Sequence, residues 1–210
     1  MTANELPMEI KVILLGETGT GKTSLINVSV GEKFDESIFS TLSTSITTKK
    51  YKKGKKEYIL NIWDTNGQEK YRSLTKTFIS NSKIVIFVYS IDNEESFVNL
   101  KYWIELVNEI IDGNVIKAVV ENKSDLDSQK RVKDDDGKKY ADHIGAKFRR
   151  VSAKTEPNGF SKFLGELLTD YLIIDNINKS LEIENSFNES FKFTNETSDT
   201  NKKFRKKCCK

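Results

Sequence analysis

Eight residues, Gly16-Glu17-Thr18-Gly19-Thr20-Gly21-Lys22-Thr23, spell G-x-x-x-x-G-K-T between an apolar run and an amphipathic one. Glycines at that spacing let a loop wrap with its N–H groups aimed inward, and a following helix N-terminus adds positive potential. The chemistry this suits is polyphosphate binding. Lys22 would reach the β- and γ-phosphates, and the Thr23 hydroxyl would ligate Mg²⁺. Such a loop specifies a nucleoside triphosphate but not its base. That choice falls to Asn122-Lys123-Ser124-Asp125. The Asp125 carboxylate can accept both N–H groups of guanine's Watson–Crick edge, and adenine offers no such pair. Ser152-Ala153-Lys154 supplies a second loop on the base side. A third stretch, Trp63-Asp64-Thr65-Asn66-Gly67-Gln68-Glu69, places a carboxylate at a strand end, where Asp64 can hold Mg²⁺ through water. Gly67 can present its N–H to the γ-phosphate without a side chain in the way, and Gln68 can orient the attacking water.

These groups need a scaffold that delivers several loops to one edge, and the pattern along the chain predicts one. Short apolar strands alternate with amphipathic helices, as in a mostly parallel α/β sheet. Ile10–Leu15 reads as a strand, with a helix from about Lys22. Ser45–Lys53 and Glu57–Trp63 flank Gly54 as a hairpin. Lys83–Ser90 and Val115–Val120 are near-continuous apolar runs, as strands buried on both faces should be, and Phe148–Val151 is a sixth. Phe97, Leu100, Ile104, Val107 and Ile111 recur at helical spacing. Phe160, Phe163, Leu164, Leu167, Leu168, Tyr171 and Leu172 form one stripe of a last helix, the pattern of core packing.

The chain has 210 residues and a formal net charge of +3, unevenly spread. Residues 202–210 hold six cations and no acid, leaving 28 basic against 31 acidic residues elsewhere. The basic excess is a property of the tail and gives no support to a nucleic-acid-binding body. The first ten residues lack an apolar leader, and the longest apolar run, Ile84–Tyr89, is too short to span a bilayer. The two cysteines, Cys208 and Cys209, are adjacent near the C-terminus, so no disulfide frames the domain and a reducing, cytosolic setting is expected. Periodicity stops near Asp175. The reading is an extension over 1–7, a domain over 8–175, and a disordered tail over 176–210.

GETGTGKT, WDTNGQE, NKSD and SAK, in this order and spacing, resemble the Ras superfamily of small GTPases. Trp63–Ser73, Phe87–Phe97 and the Cys208-Cys209 end resemble its Rab branch. The resemblance implies a P-loop G domain of six strands and about five helices. It implies conversion of GTP and water to GDP and phosphate, a GTP-on/GDP-off cycle, and vesicle traffic. By the family's spacing Thr41 becomes the switch threonine that binds Mg²⁺ beside Thr23 and Asp64. Phe34 packs edge-on against guanine, and Ser24 offers its N–H to the α-phosphate. Gln68, Lys22 and Thr41 are the catalytic set so implied. The nucleotide set is Gly16, Thr18, Gly19, Thr20, Gly21, Lys22, Thr23, Ser24, Phe34, Thr41, Gly67, Asn122, Lys123, Asp125, Ser152, Ala153 and Lys154. The double cysteine resembles ends that receive two geranylgeranyl groups, and two chains anchor stably where one does not. A metal site or reactive dithiol there lacks partner ligands, since the single histidine, His143, lies in the domain.

The same resemblance implies a monomer, peripheral on the cytosolic face of an endomembrane, that meets an exchange factor, a GTPase-activating protein, a GDP-dissociation inhibitor and effectors, but no nucleic acid. Departures from the family pattern cluster in the switches. Asn66 replaces the alanine before Gly67, Ile38 replaces a tyrosine, and Leu42-Ser43-Thr44 follows Thr41. One alternative is therefore a Rab-like module that loads GTP and hardly hydrolyses it. Another is a different P-loop enzyme, which Asn122-Lys123-Ser124-Asp125 disfavours.

Overall fold

Apolar content sets the centre of the sheet. The computed structural model describes residues 6–37, 44–65 and 72–204, with side chains at 72–75 and 182–204 outside that description. Strands β1 (Met8–Leu15), β4 (Ile84–Ser90) and β5 (Ile116–Asn122) are rich in Val, Ile and Leu, and β4 is buried along its whole length. Such runs have no polar face to offer water, so they lie inside a sheet covered on both sides. β3 (Lys56–Asp64) and β6 (Lys147–Arg150) complete the parallel set, in which Ile10 pairs with Leu60, Val12 with Ile84, and Val119 with Phe148. β2 (Ser45–Lys53) is antiparallel to β3 around Gly54, whose φ of 60° suits a tight turn. The order is β2-β3-β1-β4-β5-β6.

Among the described residues the helices are α1 (Lys22–Ser29), α2 (Arg72–Ile79), α3 (Glu94–Val98), α4 (Leu100–Ile110), α5 (Asp136–His143) and α6 (Pro157–Phe204). Asn93 caps α3 by accepting a hydrogen bond from the Ser96 N–H at 3.1 Å. α3 and α4 abut at Asn99, so the Phe97–Ile111 periodicity belongs to two short helices, and Ile111 is already extended. Val85, Phe87 and Tyr89 on β4 pack in one core cluster with Leu100, Trp103 and Val107 of α4 and Ala141 of α5. Phe160, Phe163, Leu164, Leu167 and Leu168 of α6 are fully buried. Each such side chain contributes ~1.5–3 kcal/mol over leaving it in water. Arg149 of β6 fixes this helix by reaching both carboxylate oxygens of Glu166, at 2.7 and 2.5 Å, with its guanidinium over the Phe163 ring.

The chain divides into two units, Met1–Tyr171 and Leu172–Lys210. Within the second, α6 continues to Phe204. No Gly or Pro interrupts 176–204, so nothing in that stretch breaks the backbone ladder. The i,i+4 pair Asp175–Lys179 supports the helix at 2.6 Å. No described helix is long and apolar enough to cross a membrane.

Candidate functional site

β1 delivers the glycine-rich loop to the edge where β3, β4 and β5 also end. Gly16 takes φ 144°, and a Cβ there would lie 2.1 Å from the Val88 carbonyl oxygen. The loop therefore crosses β4 too closely for any side chain. Gly21 caps α1 in the left-handed region at φ 84°. The Lys22 ammonium folds back to donate to the Gly16 and Glu17 carbonyls, both at 2.8 Å. It is 5% exposed. Burial pulls its pKa down to about 8, opposed by the charges of Asp64 and Glu17. A buried cation held by weak carbonyl partners suits an anion that can replace them.

Beside it, Thr23 Oγ1 donates to Asp64 Oδ2 at 2.7 Å. Asp64 ends β3 at 2% exposure, and its Oδ1 has no hydrogen-bond partner. Burial raises its pKa, with the Thr23 hydrogen bond and the Lys22 charge working against that shift. An orphaned buried carboxylate oxygen next to a hydroxyl is a hard donor set that fits a hydrated divalent cation. Among the described residues no cluster of three or more His, Cys, Asp or Glu could hold a metal without outside help.

On the base side, Asn122 closes β5 at 1% exposure. Its Nδ2 donates to the Thr20 carbonyl at 2.8 Å, and its Oδ1 accepts from the Ala153 N–H at 3.4 Å. One side chain thus ties the phosphate loop to the Ser152–Lys154 loop. A Cβ on Gly21 would come 2.4 Å from that Nδ2, which explains the second obligatory glycine. Lys123 follows at φ 61°, a strained value for a residue with a Cβ, and turns the chain into the 3₁₀ segment Ser124–Gln129. Ser152 Oγ donates to Asp125 Oδ1 at 2.5 Å and accepts the N–H groups of Lys154 and Thr155, at 3.1 and 3.0 Å. The hydroxyl therefore fixes the carboxylate's direction.

These groups surround one cavity of about 270 Å³. Its lining includes Thr18, Gly19, Gly21, Lys22, Thr23 and Ser24 of the first loop and helix, together with Phe34, Asn122, Lys123, Asp125, Ala153 and Lys154. Gly16, Thr20 and Ser152 stand behind as supports. Thr41, Gly67 and Gln68 lie outside the described residues, as do Ile38, Asn66, Cys208 and Cys209.

Other residues at the site had no role assigned to them from the sequence. Thr65 lines the cavity and donates to the Leu14 carbonyl at 2.8 Å. Glu36 and Lys154, both lining the cavity, form an ion pair, and Asp92 pairs with Lys123 at 3.7 Å. Glu121, directly before Asn122, is 1% exposed. It accepts from Tyr89 Oη at 2.5 Å and ion-pairs with Arg150. Burial and this carboxylate push the Tyr89 pKa well above the ordinary tyrosine value. Only Thr65, adjacent to Asp64, had a signal in the sequence. The ion pairs join residues too far apart along the chain to pair by inspection.

A model of the Ras family matches residues 11–171. The chain is 38% identical over 157 residues to Ras-related protein Rab-31 of Homo sapiens, covering 75% of this chain and 80% of that protein. It is 39% identical over 150 residues to human Ras-related protein Rab-22A, covering 71% and 77%. It is 38% identical over 163 residues to Ras-related protein Rab-21 of Geodia cydonium, covering 78% and 69%. Phosphate loop, base loops and six-stranded sheet thus meet a family match across most of the chain, which belongs to the Ras family of small GTPases as a Rab-like member.

Proposed function

We propose that the chain is a GTP-binding molecular switch that hydrolyses GTP slowly and recruits effectors in membrane traffic in its GTP form. The observation that carries this reading is one cavity shared by Lys22 and Thr23 with Asn122 and Asp125. The first pair suits a polyphosphate and the second a guanine. The loop N–H groups and Lys22 would cradle the phosphates. Phe34 and Lys154 would flank the base, and Asp125, held by Ser152, would accept its two N–H protons. Gln68 would orient the attacking water, and the segments around Thr41 and Gly67 would order on the γ-phosphate. Thr23, Thr41 and Asp64 (through water) are the residues that would hold Mg²⁺. When bound, that ion neutralises charge on the β- and γ-oxygens. Exchange, activating and dissociation-inhibiting proteins belong to the same proposal. So does a peripheral endomembrane location through lipidated Cys208 and Cys209, the G domain ending near Asp175.

The test is single-turnover hydrolysis of preloaded GTP, with Mg²⁺ and with EDTA. The expected result is slow phosphate release that needs Mg²⁺ and falls at least tenfold in Gln68→Ala, the range of a water-positioning group. Tight GTP binding with no release above the uncatalysed rate would instead favour a module that binds without hydrolysing.

A further inference from the structure

The β2–β3 hairpin concentrates charge in a way the nucleotide site does not use. Residues 49–56 hold six lysines and no acid, and residues 202–210 hold the other six-cation run. Everything outside those two stretches carries 22 basic and 31 acidic residues. The hairpin is therefore a cationic tip on an otherwise anionic body. Its lysines divide by strand alternation. Lys49 turns inward to donate to the Ser29 carbonyl, and Lys53 to Thr169 Oγ1. Lys50, Lys52, Lys55 and Lys56 are exposed. Lys53 and Lys56 stand directly opposite each other across the turn, a like-charge pairing that weakens an antiparallel ladder. Lysines on an edge strand can serve to block pairing with other chains. Lys55 and Lys56 lie in the turn and on β3, beyond that edge, and add charge where no such protection is needed.

We propose that this hairpin is a docking surface for anionic lipid headgroups, a second electrostatic contact besides the C-terminal tail. The choice of a membrane rests on the proposed lipid anchoring of Cys208 and Cys209, which would hold the chain at a bilayer. The hairpin itself argues against a nucleic acid. The lysine-bearing stretch 49–56 has one aromatic, Tyr51, which is turned inward with its hydroxyl donating to the Ser161 carbonyl at 2.7 Å, so that stretch offers no stacking platform. Exposed lysines around a turn can meet a flat charged surface, whereas a polynucleotide needs a basic groove to track its backbone.

The full chain, unlipidated, is sedimented with vesicles of phosphatidylcholine alone and of phosphatidylcholine with about one-third phosphatidylserine, in low and physiological salt. The wild type is expected to bind the anionic vesicles only, and less as salt rises. K50Q/K52Q/K55Q is expected to lower the partition coefficient roughly 100-fold, at about fivefold per cation near an anionic surface. K203Q/R205Q/K206Q should lower it comparably, and both variants should keep the wild-type melting temperature and guanine-nucleotide affinity. K52Q/K55Q is expected to give an intermediate loss. Wild-type binding by the hairpin variants, with loss confined to the tail variant, overturns the proposal. So does a wild type that ignores anionic vesicles, or hairpin variants that lose affinity for duplex DNA but not for vesicles. Lipid anchoring is tested separately by membrane fractionation of C208S/C209S in cells, so the two readings can fail independently.

Discussion

Gly16 and Gly21 both sit at positive φ, yet their substitution should fail differently. A Cβ on Gly16 would meet backbone, the Val88 carbonyl, so the loop or β4 must move. Gly16→Ala is predicted to cost about 3 kcal/mol in urea unfolding, the range of overpacking plus strain. On Gly21 it would meet the end of a side chain, the Asn122 amide. Gly21→Ala should spare more of the fold and weaken guanine-nucleotide binding roughly tenfold or more, the worth of one hydrogen bond displaced. Equal loss of fold in both would contradict that distinction. Glu121 makes a second residue-scale case. Removing it leaves the Tyr89 hydroxyl and the Arg150 guanidinium without their shared buried carboxylate. Arg150 keeps 42% of its side chain in solvent, which moderates the penalty. Glu121→Ala is predicted to cost about 2–3 kcal/mol and Tyr89→Phe about 1 kcal/mol. A double-mutant cycle by thermal melting should show that the two are not additive.

At the scale of elements, what could be read from the sequence depended on whether local pattern and tertiary packing agreed. β4 and β5 were legible because strands buried on both faces must be apolar throughout. The hairpin was legible because Gly54 interrupts two strand-like runs. The break at Asn99 was not, since the apolar spacing runs on from α3 into α4 without a Gly or Pro. Glu121 was equally opaque. Strand periodicity cannot distinguish a buried, paired carboxylate from a strand-end charge in water. The motif residues that share the cavity were legible for a different reason: their types recur in short patterns at fixed spacing. Their supports, Glu36 and Asp92, follow no such rule. In the far part of α6, Asn, Ser and Thr have middling helix propensity, so composition alone does not mark where the helix stops. The buried stripe of α6 ends at Tyr171. Truncation after Asp175 is therefore predicted to shift the melting temperature by less than ~4 °C, about 1 kcal/mol for a domain of this size. A larger drop would move the domain boundary into the second unit.

At the scale of the whole molecule, the sheet brings phosphate-type and base-type residues to a single cavity. Asn122 bridges the two groups by hydrogen-bonding to Thr20 on one side and Ala153 on the other. The central claim is that this cavity selects guanine through Asp125. The direct measurement is displacement of a fluorescent guanine nucleotide from the purified full chain by GTP, GDP or ATP, repeated with Asp125→Ala. The account predicts displacement by GTP and GDP at stoichiometric concentrations. ATP should need at least ~10⁴-fold more, as a site built to hydrogen-bond one edge rejects another. Asp125→Ala should erase most of that ratio while keeping the melting temperature. Comparable displacement by ATP and GTP, or a ratio unchanged by Asp125→Ala, would contradict it.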